Sequence, residues 1–155
     1  MIIKQIQTAS ILFYLITAFY FFSPQLSAQT EKKIISTTEA PNPVGPYSQA
    51  VEVGDMLFIS GQIPLDPKTD KLIEGGIGVQ TLQVLKNIEA ILNAAGYTKE
   101  NVVQCQVYLS DLSLYPTMNN VYENFFVENF PARSVIEVKK LPRDVLIEIM
   151  STAKK

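Results

Sequence analysis

Two charged residues near the end of the chain sit in apolar company. Arg133 opens the strand-like run Arg133-Ser134-Val135-Ile136-Glu137-Val138, just after Pro131-Ala132. Glu148 interrupts Val145-Leu146-Ile147-Glu148-Ile149-Met150. A charge withdrawn from water needs a partner or a ligand. An Arg at the mouth of a pocket suits a small carboxylate, because its planar fork donates two parallel hydrogen bonds. A Glu between two Ile residues is a candidate for a raised pKa through desolvation, which would let it pass protons near neutral pH. The competing reading of both residues is a structural ion pair, within the chain, between subunits, or with each other.

Composition narrows the chemistry further. The 155 residues include no His and one Cys. Ser-His and Cys-His nucleophilic pairs, His bases and His or thiolate metal cages are therefore out of reach. No cluster of Asp and Glu marks a site for a hard cation. Cys105 has no second Cys to pair with and lies in the strand-like Val102-Val103-Gln104-Cys105-Gln106-Val107-Tyr108-Leu109, where a small buried hydrophobe is expected. The net charge is -2, and no basic stripe appears, so no nucleic-acid partner is expected.

The first residues read as an export signal. Lys4 supplies the positive n-region, Ala9 to Phe22 is apolar apart from Ser10 and Thr17, and Leu26-Ser27-Ala28 ends on a small residue. The apolar core is shorter than the roughly 20 residues that span a bilayer. A signal peptide over 1–28, cut after Ala28, is expected in preference to an uncleaved anchor. That places the mature chain, 29–155, in the periplasm or outside the cell, with no membrane partner once the leader is gone.

Elements must then position the two charges. Ile34 to Thr37 is a short strand candidate, followed by the stiff loop Ala40-Pro41-Asn42-Pro43-Val44-Gly45-Pro46-Tyr47. Tyr47, at its end, is either a pocket wall or core packing. Ala50 to Val53 and Met56 to Ser60 form a hairpin around Gly54-Asp55. Pro64 to Lys71 is an exposed loop or small hairpin. Val79 to Ala95 is a helix, its core stripe Leu82, Leu85, Ile88, Ile91, Leu92 and Ala95, with Gly96 as its stop. Val102 to Leu109 is a strand, Asp111 to Phe126 a second helix, and Arg133 to Val138 and Val145 to Ser151 the last strands. The order β-β-β-α-β-α-β-β suits an α+β layer fold, a mixed sheet with both helices on one face. Because Val145-Leu146-Ile147 does not alternate, other subunits are expected to cover the opposite face.

Three segments, Gly45-Pro46-Tyr47-Ser48-Gln49-Ala50, Phe58-Ile59-Ser60-Gly61-Gln62-Ile63-Pro64, and Phe130-Pro131-Ala132-Arg133-Ser134 with Ile147-Glu148-Ile149, resemble the RidA (YjgF) family of enamine/imine deaminases. The resemblance runs from about Lys33 to Lys154. It implies a chorismate-mutase-like fold, with two helices on one face of a mixed six-stranded sheet, and a homotrimer with a cleft at each subunit interface. It implies hydrolysis of 2-aminoacrylate-type enamines and 2-imino acids to 2-keto acids and ammonia, without metal or organic cofactor. It also implies that the last strand enters the sheet interior, where the sequence alone reads a hairpin. Residue by residue, Arg133 matches the carboxylate-binding Arg and Glu148 the acidic residue associated with the catalytic water. Tyr47, Ser60, Gly61 and Asn119 match positions that line the cleft. Many members have Cys two residues after the Arg; this chain has Val135.

Two other readings compete. One is a non-catalytic, chaperone-like or small-carboxylate-binding module on the same trimer. The other is an RNase activity sometimes attributed to relatives, which fits poorly with no His, no basic face and a negative net charge. Asn119 and Ser60 have a plain reading as well, as cap or turn groups.

Overall fold

A computed structural model of the chain describes residues 31–155. The expected signal peptide over 1–28 lies outside the described residues. Eight strands and two α-helices follow in order: β1 Lys32–Ile35, β2 Ala50–Val53, β3 Met56–Gln62, β4 Leu65–Asp66, β5 Lys71–Leu72, α1 Ile77–Ala94, β6 Val102–Leu109, α2 Tyr115–Phe126, β7 Ala132–Glu137 and β8 Ile147–Lys154. Six strands form one sheet in the order β1-β2-β3-β8-β6-β7, and β4-β5 form a small separate hairpin. Only β6 and β7 run parallel; the other pairs in the sheet are antiparallel. The last strand thus enters the interior of the sheet, between β3 and β8's other neighbour β6, and the simple hairpin does not form.

Both helices pack on one face. Leu57, Ile59, Val107, Leu109, Ile147 and Ile149 meet Val84, Leu85, Ile88 and Ile91 of α1 there, all essentially without exposure. Leu82 is not part of this core: it is 42% exposed, and Thr81 and Val84 take its place in the buried stripe. The helix begins at Ile77, two residues earlier than its apolar spacing indicated; at about 100° per residue Thr81 and Val84 fall on the face of Leu85, Ile88 and Leu92, and Leu82 falls to its side. Its end is as Gly96 foretold. Gly96 holds φ 74, its N–H reaches Asn93 O at 3.0 Å and the Tyr97 N–H reaches Leu92 O at 2.9 Å. Those two bonds satisfy the last carbonyls of the helix and drive the Tyr97 ring into the core.

Three further expectations shift. β1 covers Lys32–Ile35 instead of 34–37. The second helix starts at Tyr115, after a 3₁₀ turn at Leu112–Leu114 in which Asp111 Oδ1 accepts from the Ser113 N–H and Glu137 Oε2 from the Leu112 N–H. Val145 and Leu146 precede β8, so the run that failed to alternate is not strand. Within β8 alternation is regular: Ile147, Ile149, Ser151 and Ala153 point to the helices, while Glu148, Met150, Thr152 and Lys154 point away. The face turned from the helices still carries apolar side chains. Ile34 pairs with Val51 and Val51 with Phe58, and Phe58 is 48% exposed. Among the described residues no helix is long and apolar enough to cross a membrane.

Candidate active site

Arg133 sits on β7, in register with Cys105 of β6, and its side chain turns to the helix-covered side of the sheet. Helix α2 meets it with three residues spaced four and three apart, Tyr115, Asn119 and Tyr122, which a helix brings onto one stripe. Arg133 Nη2 donates to Asn119 Oδ1 at 2.7 Å and to the Tyr115 hydroxyl at 3.0 Å. The guanidinium lies 4.3 Å from the Tyr122 ring centroid and 5.6 Å from that of Tyr115. Nη1 is buried and finds no protein acceptor. No carboxylate stands within ion-pair distance of Arg133 among the described residues. An open cavity of about 400 Å³ adjoins it, lined by Asn119, Tyr122, Glu123, Phe130, Pro131 and Arg133. The ion-pair reading of Arg133 therefore finds no support within one chain.

Glu148 belongs to a second group. It pairs across β6 with Tyr108 and points away from the helices. Between Ile59 and Gln62 the β3–β8 register slips by one residue, so Ser60-Gly61 form a bulge beside Glu148. Gly61 is needed there: a Cβ on it would overlap the Glu148 carboxylate, whose Cδ would be 2.9 Å away. Half-burial withdraws water from Glu148 and pushes its pKa above the ordinary value. No described residue forms an ion pair with it.

The Pro-rich loop is tied to this same region. Gln49, 2% exposed, accepts from the Thr37 N–H at 2.7 Å, and its Nε2 lies within 2.9–3.1 Å of the carbonyls of Thr37, Ala40 and Pro41. Ser60 Oγ donates to Ser48 O at 2.7 Å. The loop held in this way leaves Tyr47 47% exposed, as a wall and not as core. Tyr47, Gly61, Gln62, Pro142 and Arg143 border a small cavity of about 70 Å³. Arg143 and its neighbour Asp144 both hold positive φ, 57° and 58°, a conformation that side chains seldom take outside binding and turn sites.

One chain thus brings Arg133 and Asn119 together in one group, and Tyr47, Ser60, Gly61 and Glu148 in another. Cys105 and Tyr108 are three positions apart on β6, so their partners Arg133 and Glu148 face opposite sides of the sheet. Val135 packs half-buried against the core. Cys105 is buried with Sγ 3.3 Å from Ser151 Oγ, and burial pushes its thiol pKa up, as befits an inert hydrophobe. Tyr122, Gln49 and Arg143 were not singled out from sequence. The spacing of Tyr115, Asn119 and Tyr122 was the available signal for the first, and it looks the same as ordinary core periodicity.

The fold and the two groups define a class, an α+β protein with a free guanidinium at one cavity and a lone carboxylate at the far side of the sheet. The sequence profile described as Endoribonuclease L-PSP matches residues 37–155, and the chain belongs to that family, which includes the YjgF and RutC proteins. A RutC family protein of Pyrococcus horikoshii is 53% identical over 124 residues, 80% of this chain and 98% of its own. The human 2-iminobutanoate/2-iminopropanoate deaminase is 44% identical over 122 residues, 79% of this chain and 89% of its own. Among solved structures, the YjgF gene product of E. coli superposes with a TM-score of 0.76 at 44% identity, covering 79% of this chain and 98% of that one. E. coli TdcF with bound serine gives 0.76 at 40% identity, with 79% and 98% covered.

Proposed function

We propose that the chain hydrolyses 2-aminoacrylate-type enamines and 2-imino acids to 2-keto acids and ammonia, in a site completed between copies of itself. The observation behind this reading is Arg133: a guanidinium fixed by three side chains, facing an open cavity, with no protein carboxylate to neutralise it. A small carboxylate is the ligand that such a fork accepts. The deaminase name of the human and mouse relatives and the serine bound to TdcF agree with a small amino- or imino-acid ligand.

The chemistry asks little more than placement. The enamine first takes a proton on its β-carbon and becomes the imine, whose C=N carbon is electrophilic once the nitrogen is protonated. Water adds to that carbon. Glu148, as the carboxylate, takes a proton from the water and returns it to nitrogen; the C–N bond of the resulting carbinolamine breaks and ammonia leaves. The balance is one imine and one water to one keto acid and one ammonia. A carboxylate with a raised pKa is suited to both halves of that exchange near neutral pH.

Because Arg133 and Glu148 face opposite sides of the sheet in one chain, a second copy must bring its Glu148 side to the first copy's Arg133 cavity. The apolar, open sheet face around Phe58 supplies a surface that association would cover. A homotrimer, with three such clefts, is the assembly we propose, and light scattering on the purified protein tests it. A stable monomer leaves only the second reading, a non-catalytic carboxylate binder, since the Arg133 cavity is complete without Glu148. Activity is tested by generating 2-iminopropanoate and 2-iminobutanoate with an amino-acid oxidase and following ammonia or loss of semicarbazone. Acceleration over the uncatalysed rate is expected; rates equal to the blank refute the enzyme. We also propose export through residues 1–28, tested by N-terminal sequencing of the cell-purified protein; Gln29 is the expected first residue.

A further inference from the structure

Tyr122 is the buried ring of α2 that touches a charge. Its side chain is 3% exposed, and the Arg133 guanidinium lies 4.3 Å from its centroid. Phe126 packs against it at 4.6 Å and Phe125 packs edge-on to Phe126, so the plane of the Tyr122 ring is fixed from behind. A ring face attracts a cation, more strongly where water is excluded. Buried aromatic residues at helical spacing are usually filler; what sets this one apart is the guanidinium that lies over its ring. The hydroxyl of Tyr122 is buried beside the Cys105 thiol, without a hydrogen bond of good geometry.

The same helix supplies the other supports. Asn119 and Tyr115 hold Nη2 at the edge of the guanidinium while Tyr122 holds its plane. An Arg side chain loses about 2 kcal/mol of rotamer freedom when fixed. If that freedom is already lost in the empty protein, a carboxylate does not have to remove it on binding.

We propose that Tyr122 is the positioning residue of the carboxylate half-site, a platform that sets the Arg133 fork toward the cavity before any ligand arrives. The proposal rests on the carboxylate role given to Arg133 above. It assigns Asn119 to the same task, as an acceptor for Arg133 ahead of any contact with substrate.

The test uses the protein as purified from cells, with pyruvate as the probe in titration calorimetry. Tyr122→Phe keeps the ring and is expected to bind pyruvate within about twofold of wild type. Tyr122→Met keeps an apolar, adaptable side chain of smaller volume and loses the face, and its affinity is expected to fall about tenfold or more, with KM rising and kcat nearly unchanged. Wild-type affinity in the Met variant overturns the proposal. So does a loss in the Phe variant as large as that in the Met variant, because the hydroxyl and not the face would then be at work. Nitrogen-detected NMR of the Arg133 guanidinium gives a readout that survives a Met variant that fails to fold. Wild type and Tyr122→Phe should show ring-shifted resonances and slowed rotation about the Nε–Cζ bond. Averaged, unshifted signals in wild type overturn the platform. If wild type neither binds pyruvate nor releases ammonia, the carboxylate reading fails, while the resonances still report on the platform alone.

Discussion

The two halves of the candidate site are built on opposite plans. The Arg133 half is a clamp: one helix stripe, Tyr115, Asn119 and Tyr122, fixes one guanidinium from below and from the side. The Glu148 half is bare. Its carboxylate rests on a glycine at a bulge, with no ion pair, and its order comes from a loop pinned through Gln49 and Ser60. The difference matches the work proposed for each. A group that grips a carboxylate through the whole reaction gains from being immobile. A group that carries a proton both ways must change charge, and an ion pair would hold it in one state.

The sharpest way to break this comparison is Arg133→Ala. Losing one partner of a desolvated charge pair costs about 2–5 kcal/mol, roughly a thirtyfold to several-thousandfold drop in kcat/KM. The oligomer should persist, because Arg133 touches α2 of its own chain. Wild-type rates with 2-aminoacrylate generated in situ would remove Arg133 from the site.

Glu148→Gln comes next. A positioned acid–base group contributes about 10²–10⁴-fold, so kcat should fall within that range while pyruvate affinity holds. In wild type, activity that needs the carboxylate should decline as pH falls through its raised pKa, at a higher pH than an ordinary Glu would give. Stability moves the other way. The folded pKa lies above the unfolded one, so the stabilising form is the neutral acid, and that contribution is lost as pH rises through the folded value. Gln at 148 should therefore melt at or above wild type at neutral pH, and the gain should shrink in acid. A Gln variant less stable than wild type at pH 7 would show that Glu148 has a favourable partner in the oligomer.

Much of this was legible in the sequence, for reasons that differ by element. Gly96 after an apolar stripe stops a helix whatever surrounds it, because φ 74 is easy only for glycine. Alternation in β8 was obscured by Val145 and Leu146, which belong to the preceding turn. Leu82 shows the limit of reading by residue type: its angle on the helix puts it beside the stripe, and the polar Thr81, not the apolar Leu82, takes the buried position. Arg133 and Glu148 stood out because charges in apolar runs are rare. That they face opposite sides of the sheet was already implicit in the parity of their partners on β6, but the partnering itself is long-range and no local pattern carries it. Gln49 was hidden for another reason. A buried Gln that ties down three carbonyls reads, in sequence, like any loop polar residue.

Gly61→Ala sharpens the contrast between the two halves. An added methyl displaces the end of a flexible side chain and meets no rigid backbone among its nearest neighbours, so the fold should survive with Glu148 pushed aside. We expect kcat to fall about tenfold, since a 1 Å misplacement of a catalytic group can cost up to about 10². Pyruvate binding at the Arg133 half should not change. Equal losses in binding and turnover would mean that the two halves are mechanically joined.

Ser60→Ala is the gentlest probe and the one that separates support from contact. Ser60 Oγ already donates to Ser48 O at 2.7 Å, across the join between β3 and the Pro-rich loop. Removing it deletes one part-buried hydrogen bond, worth about 1 kcal/mol, and should lower Tm by about 3–5 °C. Tyr47, at the end of that loop, would be held less firmly, and activity should drop no more than about threefold. A hydroxyl that instead contacts substrate would give the reverse pattern, an unchanged Tm with KM raised tenfold or more. The hydroxyl has one proton and the Ser48 carbonyl takes it, so Ser60 is not a donor to substrate, and the first pattern is the expected one unless its lone pairs accept from the substrate nitrogen.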